Sequence, residues 1–129
     1  MDMPVVSMGG FFFRAKDPKA VKAWYREHLG VGAGCGAPEG AEPDEWSWHI
    51  ESGPMVFEPM AQDTDHFPAD KQAMINLRVS ELDQLLSTLR DAGIEVTTKP
   101  EWDTPETGRF ARVHDPEGNP VELWEPPSD

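Results

Sequence analysis

The chain has 129 residues, a length typical of a single domain that can bury a core without disulfides or metals. Its formal charge of −13 disfavours nucleic acid or an anionic membrane as a partner, and no apolar run approaches the roughly 18 residues of a membrane span. Cys35 is the only cysteine, so an intramolecular disulfide and a thiolate zinc site are excluded and a cytoplasmic location is expected. The first residues lack a basic segment, so no signal peptide is expected.

The first half of the chain predicts one helix among short strands. Alternation around the aromatic run at 11–13 predicts a strand over residues 7–15. Asp17 followed by Pro18 is typical of a helix start, and Gly30 is typical of a helix end. Further strands are predicted over residues 31–35, 45–51 and 55–59.

After a polar linker over residues 60–71, the same order of elements recurs. An alternating pattern predicts a strand over residues 72–79, and Ser80 followed by Asp83 resembles a capping box. A leucine stripe then predicts a helix that ends at Gly93. Three more strands are predicted over residues 94–98, 110–114 and 120–125, with a Pro- and Gly-containing turn over residues 115–119.

The two halves align at an offset of 64 residues, which places Arg14 on Arg78 and Glu58 on Glu122. Together with the recurring order of elements, this alignment predicts a duplicated unit. We therefore expect one α+β domain made of two βαβββ modules, over residues of about 5–60 and 72–126.

Strand alternation separates an apolar face, expected to pack on the helices, from a mixed face. A mostly apolar surface with a few polar groups is the usual form of a small-molecule site, so the mixed face is the candidate cleft. It carries Gly10, Phe12, Arg14, Met74, Asn76, Arg78, Glu122 and Trp124, with Glu58 as a further candidate.

Three segments resemble the vicinal oxygen chelate superfamily, which includes glyoxalases, bleomycin-resistance proteins and extradiol dioxygenases. They are DPKAVKAWYREHLGV (17–31), MINLRVSELDQLLSTLRDAGIEV (74–96) and GRFARVHDPEGNPVELWEP (108–126). The resemblance implies two βαβββ modules whose curved mixed sheets surround a shared cleft. It also implies a homodimer, because many members of this superfamily pair their modules across two chains.

The metal enzymes of this superfamily use four ligand positions, which fall here on Gly10, Glu58 or Val56, Met74 and Glu122. Both positions for a nitrogen ligand are lost, so no metal centre is predicted. Two carboxylates, Glu58 and Glu122, could hold a divalent cation weakly. The histidines, which fall on none of these positions, are assigned structural or solvent roles: His28, His49, His66 and His114. His66, in the linker, has the alternative of swinging into the cleft.

Two functions follow as hypotheses, and in both a small organic ligand occupies the cleft. In the first, a glyoxalase-like lyase or isomerase acts alpha to a carbonyl, with Glu122 as base and Glu58 as its partner. In the second, a non-catalytic protein sequesters or senses a cationic or aromatic compound. The candidate ligand-binding residues are Phe12, Arg14, Trp46, Trp48, Met74, Asn76, Arg78 and Trp124.

Two observations leave the choice between these hypotheses open. Residues 27–70 contain ten acidic residues and no Lys or Arg, which would attract a cation if the acids converge and would only solvate the chain if they are scattered. Glu122 could instead form an ion pair with Arg14, Arg78 or Arg112. The tryptophans and Phe12 could pack in a core rather than form an aromatic wall.

Overall fold

A computed structural model describes residues 11–31, 50–51, 53 and 55–128. The described part of the chain contains three helical and three strand elements and confirms the predicted α+β class. In chain order they are α1 (Pro18–Leu29), β1 (Ile75–Arg78), α2 (Leu82–Asp91), the 3₁₀ turn Pro100–Trp102, β2 (Arg109–His114) and β3 (Pro120–Glu125). None of the helices in these ranges is long and apolar enough to cross a membrane.

The three strands form one mixed sheet in the order β1–β3–β2. β1 pairs with β3 in parallel, and β2 pairs with β3 in antiparallel orientation. A parallel pair needs a crossover connection, and α2 supplies it. Thr97 adds an isolated bridge to Arg112 on the outer side of β2, within the strand predicted over residues 94–98. The second half of the chain therefore follows the βαβββ order, and the two-module division of the chain stays a prediction.

One face of this sheet and both helices enclose the hydrophobic core. Ala111 and Val113 of β2 and Val121 and Leu123 of β3 are fully buried on that face. The helices contribute the remaining buried residues of the core, which are Val21, Tyr25, Leu82, Leu86 and Leu89. Burying one such aliphatic side chain contributes about 1.5–3 kcal/mol, so this face fixes the helices against the sheet.

The local signals of α1 act as predicted. The Asp17 carboxylate accepts a hydrogen bond from the Ala20 amide at 3.1 Å, and Pro18 occupies the first turn. Gly30 ends the helix with a φ of 71°, a left-handed conformation that a side chain disfavours.

Helix α2 begins differently from the prediction, because the capping box of Ser80 and Asp83 does not form. The residue before the helix is Glu81, which has a φ of 52° and makes no capping hydrogen bond with its side chain. The Leu82 amide instead donates to the Glu125 carboxylate of β3 at 3.3 Å. The sharp turn between β1 and α2 thus leaves the cap to a residue from across the sheet.

Some strands predicted in the first half of the chain are not found among the described residues. Residues 11–15, 50–51 and 55–60 have no strand pairing, and the aromatic run Phe11–Phe13 is exposed. A strand is stabilised by a hydrogen-bonded neighbour, and no described residue supplies one for these segments. The rest of the predicted strands over 7–15 and 45–51, and the whole of the strand over 31–35 except Val31, lie outside the described residues.

Candidate functional site

The candidate site lies on the face of the sheet that is turned away from the helices. The pairing register places Asn76 of β1, Glu122 of β3 and Arg112 of β2 in one row across the three strands. The next row contains Arg78, Trp124 and Phe110. Since alternate residues of a strand point to one side, these six side chains share a face opposite the core residues Val121 and Leu123.

Glu122 is a buried carboxylate at the centre of this face, with an exposure of 7%. Its Oε1 accepts a hydrogen bond from the Asn76 amide at 2.8 Å. Its Oε2 lies 3.6 Å from Nη2 of Arg112 and 3.5 Å from Nε2 of His66. Oε1 therefore accepts a hydrogen bond within the sheet, whereas Oε2 has longer ion-pair contacts, one from the sheet and one from the linker. This arrangement supports the ion pair between Glu122 and Arg112 that the sequence left open.

Arg112 is a buried cation beneath the 3₁₀ turn, with an exposure of 9%. Its guanidinium carbon lies 5.2 Å from the centre of the Trp102 ring, which is a cation–π distance. Its backbone exchanges two hydrogen bonds of 2.8 Å with Thr97. Two of its nitrogens, Nε and Nη2, are buried without a hydrogen bond. The positive charge is thus balanced by the Glu122 carboxylate and the Trp102 ring.

His66 reaches Glu122 from the irregular segment of residues 61–71, not from the sheet. Its side chain is 38% exposed, whereas the Glu122 side chain beneath it is 10% exposed. The His66 amide donates to the Thr64 hydroxyl at 3.2 Å, and the imidazole meets the Phe67 ring edge-on at 6.5 Å. The sequence favoured a structural or solvent role for His66 over a place in the cleft, but the structure places it 3.5 Å from the carboxylate of the candidate site.

Two stacked aromatic rings flank the polar row. The rings of Phe110 and Trp124 lie 6.3 Å apart with an interplanar angle of 11°. The indole nitrogen of Trp124 donates to the Thr107 carbonyl at 2.7 Å, which orients the ring near the end of β3. Trp124 therefore offers an oriented, half-buried apolar surface beside Glu122.

Two further predicted residues lie in or beside β1. Arg78 is exposed on the site face, with its guanidinium against Gly53; a side chain on Gly53 would meet Nη2 at 2.7 Å. Met74 is half-buried immediately before β1. Both residues thus border the row of Asn76, Glu122 and Arg112.

The structure does not bring the first-half residues into this row. Phe12 is 88% exposed, and Glu58 is exposed outside any strand. Arg14 lines a shallow surface groove with Lys16 and Lys71, beside the turn that joins β2 and β3. The remaining predicted residues, Gly10, Trp46 and Trp48, lie outside the described residues.

The positions at which the superfamily places metal ligands do not fit a metal centre here. Met74 offers only a thioether, and the oxygens of Glu122 face Asn76, His66 and the fixed positive charge of Arg112. A metal ion at Oε2 needs several further donors, and the described residues place a guanidinium at 3.6 Å beside that oxygen but no second carboxylate. No cluster of three His, Cys, Asp or Glu residues in the described ranges could hold a metal ion. The contacts of Glu122 thus give no support to a cation shared with Glu58.

The contact of Arg112 with Glu122 could have been predicted from the sequence, whereas that of His66 could not. The turn over 115–119 joins two strands, so counting outward from it places Arg112 opposite Glu122. Without this register, Arg112 is only one of three alternative partners of Glu122, beside Arg14 and Arg78. No comparable signal exists for His66, because its place depends on the path of an irregular linker.

These features define a class of protein. It has a mixed sheet of βαβββ order with helices on one face, and its other face carries the buried Glu122 beside aromatic rings. The family model of the Glyoxalase/Bleomycin resistance protein/Dioxygenase superfamily matches residues 7–123. The chain belongs to this superfamily, as its resemblance to the vicinal oxygen chelate proteins predicted.

Comparison with solved structures adds one relative of the same fold. The chain is similar to the crystal structure of TnmS3, an antibiotic binding protein from Streptomyces sp. CB03234, with a TM-score of 0.59 and 23% identity. The similarity covers 97% of this chain and 99% of TnmS3. At this identity it shows the fold alone. Comparison with curated proteins gives no match.

Proposed function

We propose that this protein binds a small organic ligand, partly aromatic, on the free face of its sheet, and that it does so without catalysis. The observation that carries the proposal is the state of Glu122. It is buried, with Oε1 hydrogen-bonded to Asn76 and with Oε2 in longer contacts with Arg112 and His66. A carboxylate fixed in this way can accept a hydrogen bond from a ligand at Oε2, beside a Trp124 ring that can stack on a planar ligand.

The comparisons support this proposal at a coarser level. The superfamily includes bleomycin-resistance proteins by its own description, and TnmS3 is described as an antibiotic binding protein. Both descriptions are compatible with a protein of this fold that binds a small molecule.

The alternative, a lyase or isomerase with Glu122 as base and Glu58 as partner, has less support. A general base must come within hydrogen-bond reach of the substrate proton. Oε1 of Glu122 is taken by Asn76 at 2.8 Å, and Glu58 is exposed outside the strands. The second carboxylate that this mechanism assigns is therefore not beside Glu122, which favours binding over proton transfer.

The second part of the proposal is that the protein works as a homodimer. Several large apolar side chains of the first half are exposed, among them Phe12 and Phe57 with exposures of 88% and 76%. The exposed apolar residues follow one another in sequence at Phe11–Phe13 and Met55–Phe57, and large exposed apolar groups of this kind favour an interaction surface. A second copy of the chain is the partner that the superfamily resemblance implies.

The proposed binding is tested by screening small aromatic compounds against the isotope-labelled protein with amide and indole NMR shifts. Ligands are expected to shift Trp124 and Asn76. Trp124→Phe is expected to weaken binding by about fivefold, because it removes indole surface and the hydrogen bond that orients it. Trp24→Phe on α1, on the other side of the sheet, serves as the matched control and should leave the affinity unchanged.

Two results would contradict this function. One is a set of ligands that shift only residues far from the Glu122 row. The other is a compound that is turned over and loses its turnover in Glu122→Asp, which would establish catalysis instead.

A further inference from the structure

His66 differs from the other partners of Glu122 in its origin. Asn76 and Arg112 belong to neighbouring strands and are held by the register of the sheet. His66 belongs to residues 61–71, whose backbone hydrogen bonds are local: Thr64 to Ala61 and Lys71 to Pro68, each at 3.0 Å. Such a segment can move without breaking the sheet.

The position of the His66 imidazole indicates which kind of ligand group could contact the Glu122 carboxylate. The ring nitrogen Nε2 stands 3.5 Å from Oε2, and it belongs to a residue outside the strands. The imidazole is planar, offers an N–H donor and can carry a positive charge. It therefore occupies the place that a planar nitrogen donor of a ligand would take.

Arg112 does not offer an equivalent opening for an acidic ligand. Its Nε and Nη2 are buried, and Trp102 lies over its guanidinium at 5.2 Å. Oε2 of Glu122, by contrast, is contacted by the side chain of His66, which is 38% exposed. A ligand that displaces His66 thus meets the carboxylate oxygen first.

The charge of the chain favours a cation at this opening. Asp63 and Asp65, both exposed, lie in the same segment as His66, and the formal charge of the whole chain is −13. A protein field of this sign raises the local concentration of cations and lowers that of anions.

From these observations we infer that His66 is a movable cover on Glu122, and that the ligand presents a planar cationic nitrogen donor, such as an amidinium or imidazolium, to Oε2 in its place. This inference rests on the proposed binding function and adds its ligand class and its regulation. Only molecules in which His66 has moved off the carboxylate bind this ligand. The affinity of the intact protein is therefore the intrinsic affinity multiplied by the uncovered fraction.

The test measures binding of benzamidinium by NMR titration, with benzoate as the anion of matched size. His66→Ala uncovers Glu122 and is expected to strengthen benzamidinium binding by about five- to tenfold, as for a cover closed in most molecules. His28→Ala, a histidine on α1, is the control and should leave the affinity unchanged. Benzoate should gain nothing from His66→Ala.

A second change ties the gain to the carboxylate. Adding Glu122→Gln to His66→Ala is expected to abolish the gain, and Glu122→Asp provides a charged alternative with a shorter reach if the amide variant does not fold. Unchanged or weaker benzamidinium binding in His66→Ala, an equal gain for benzoate, or no binding at all would each overturn the inference.

The outcomes separate this inference from the proposed function. If compounds shift the Trp124 and Asn76 signals equally in the intact protein and in His66→Ala, the binding face stands and the cover is wrong. If no compound of the aromatic screen shifts this face in either protein, the proposed function fails as well.

Discussion

Glu122 and Arg112 form a buried ion pair whose two members depend on each other. Each side chain is 10% exposed, and the charged atoms are 3.6 Å apart. Taking charges out of water is costly, so such a pair adds little net stability, but the loss of one partner leaves the other charge buried and unbalanced.

Glu122→Gln is therefore expected to lower the free energy of unfolding by about 3 kcal/mol, measured by urea denaturation. The double variant Arg112→Met with Glu122→Leu should recover most of this loss, because no charge then remains buried. Glu106→Gln, an exposed loop residue, is the control. Equal stability of Glu122→Gln and the control would show that the pair is solvated.

Tyr25 is the second buried polar residue with a specific partner. Its hydroxyl donates to the Asp115 carboxylate at 2.9 Å, and the same carboxylate also accepts from the Glu117 and Asn119 amides at 2.9 Å. Burial, followed by the hydrogen bond to Asp115 and its charge, raises the pKa of Tyr25 well above its ordinary value.

This shift predicts a loss of stability in alkali. A raised pKa in the folded state means that the folded protein holds the proton more tightly than the unfolded chain. The contribution is complete below about pH 10, the unfolded value, and is lost progressively above it. Tyr25→Phe should cost about 1–2 kcal/mol at pH 7 and should flatten the alkaline decline, measured by urea denaturation between pH 7 and 11. Since Tyr25 is the only tyrosine, a decline that persists unchanged in Tyr25→Phe would contradict this assignment.

At the scale of elements, the hairpin of β2 and β3 organises both faces of the sheet. Its core side buries Val113 and Val121, and its free side carries Arg112 and Glu122. The hairpin also caps α2 through Glu125. Gly108 immediately precedes β2. It has a φ of 101°, and its backbone lies close to the backbone of Glu125 on the opposite strand.

Gly108→Ala is expected to lower the free energy of unfolding by about 3 kcal/mol, because the new methyl group meets the Glu125 carbonyl and the backbone is strained. Gly93→Ala is the matched control: its φ is 82°, but nothing lies within 4 Å of the added atom. It should cost only about 1 kcal/mol. Thermal unfolding of both variants measures the difference. Similar losses of stability would show that the positive φ, and not the clash with Glu125, causes the destabilisation.

At the scale of the whole molecule, α1 is joined to the second half by polar contacts as well as by the core. The Glu117 carboxylate accepts from the amides of Lys16 and Asp17 at 2.7 and 2.8 Å, and Tyr25 donates to Asp115. Both contacts come from the turn between β2 and β3. This turn thus orients the first helix and sets the register of the site.

The proposed homodimer leads to a prediction about mass in solution. Light scattering after gel filtration should give twice the chain mass of 14.4 kDa. Phe12→Asp with Phe57→Asp should shift the protein to a monomer, because charges replace exposed apolar side chains. Lys22→Glu on the exposed surface of α1 is the control. A monomeric mass for the unmodified protein would overturn the proposed dimer.

Much of the second half was predictable because its signals are local. The leucine stripe, the Gly93 stop and the turn over 115–119 each depend on neighbours in sequence, and the helix and hairpin form where predicted. The capping box at Ser80 was wrong, since the carboxylate that caps α2 belongs to Glu125 of β3. Local patterns cannot report a partner 43 residues away.

The sequence by itself determined the α+β class, the superfamily and the face on which Glu122, Asn76 and Trp124 lie, because strand alternation follows from backbone geometry. Only the tertiary structure decided what touches Glu122. His66 lies 56 positions from it, on a segment without regular structure, and Trp102 reaches Arg112 from a 3₁₀ turn. Side-chain periodicity specifies directions within an element, whereas contacts between elements depend on the path of the connecting chain.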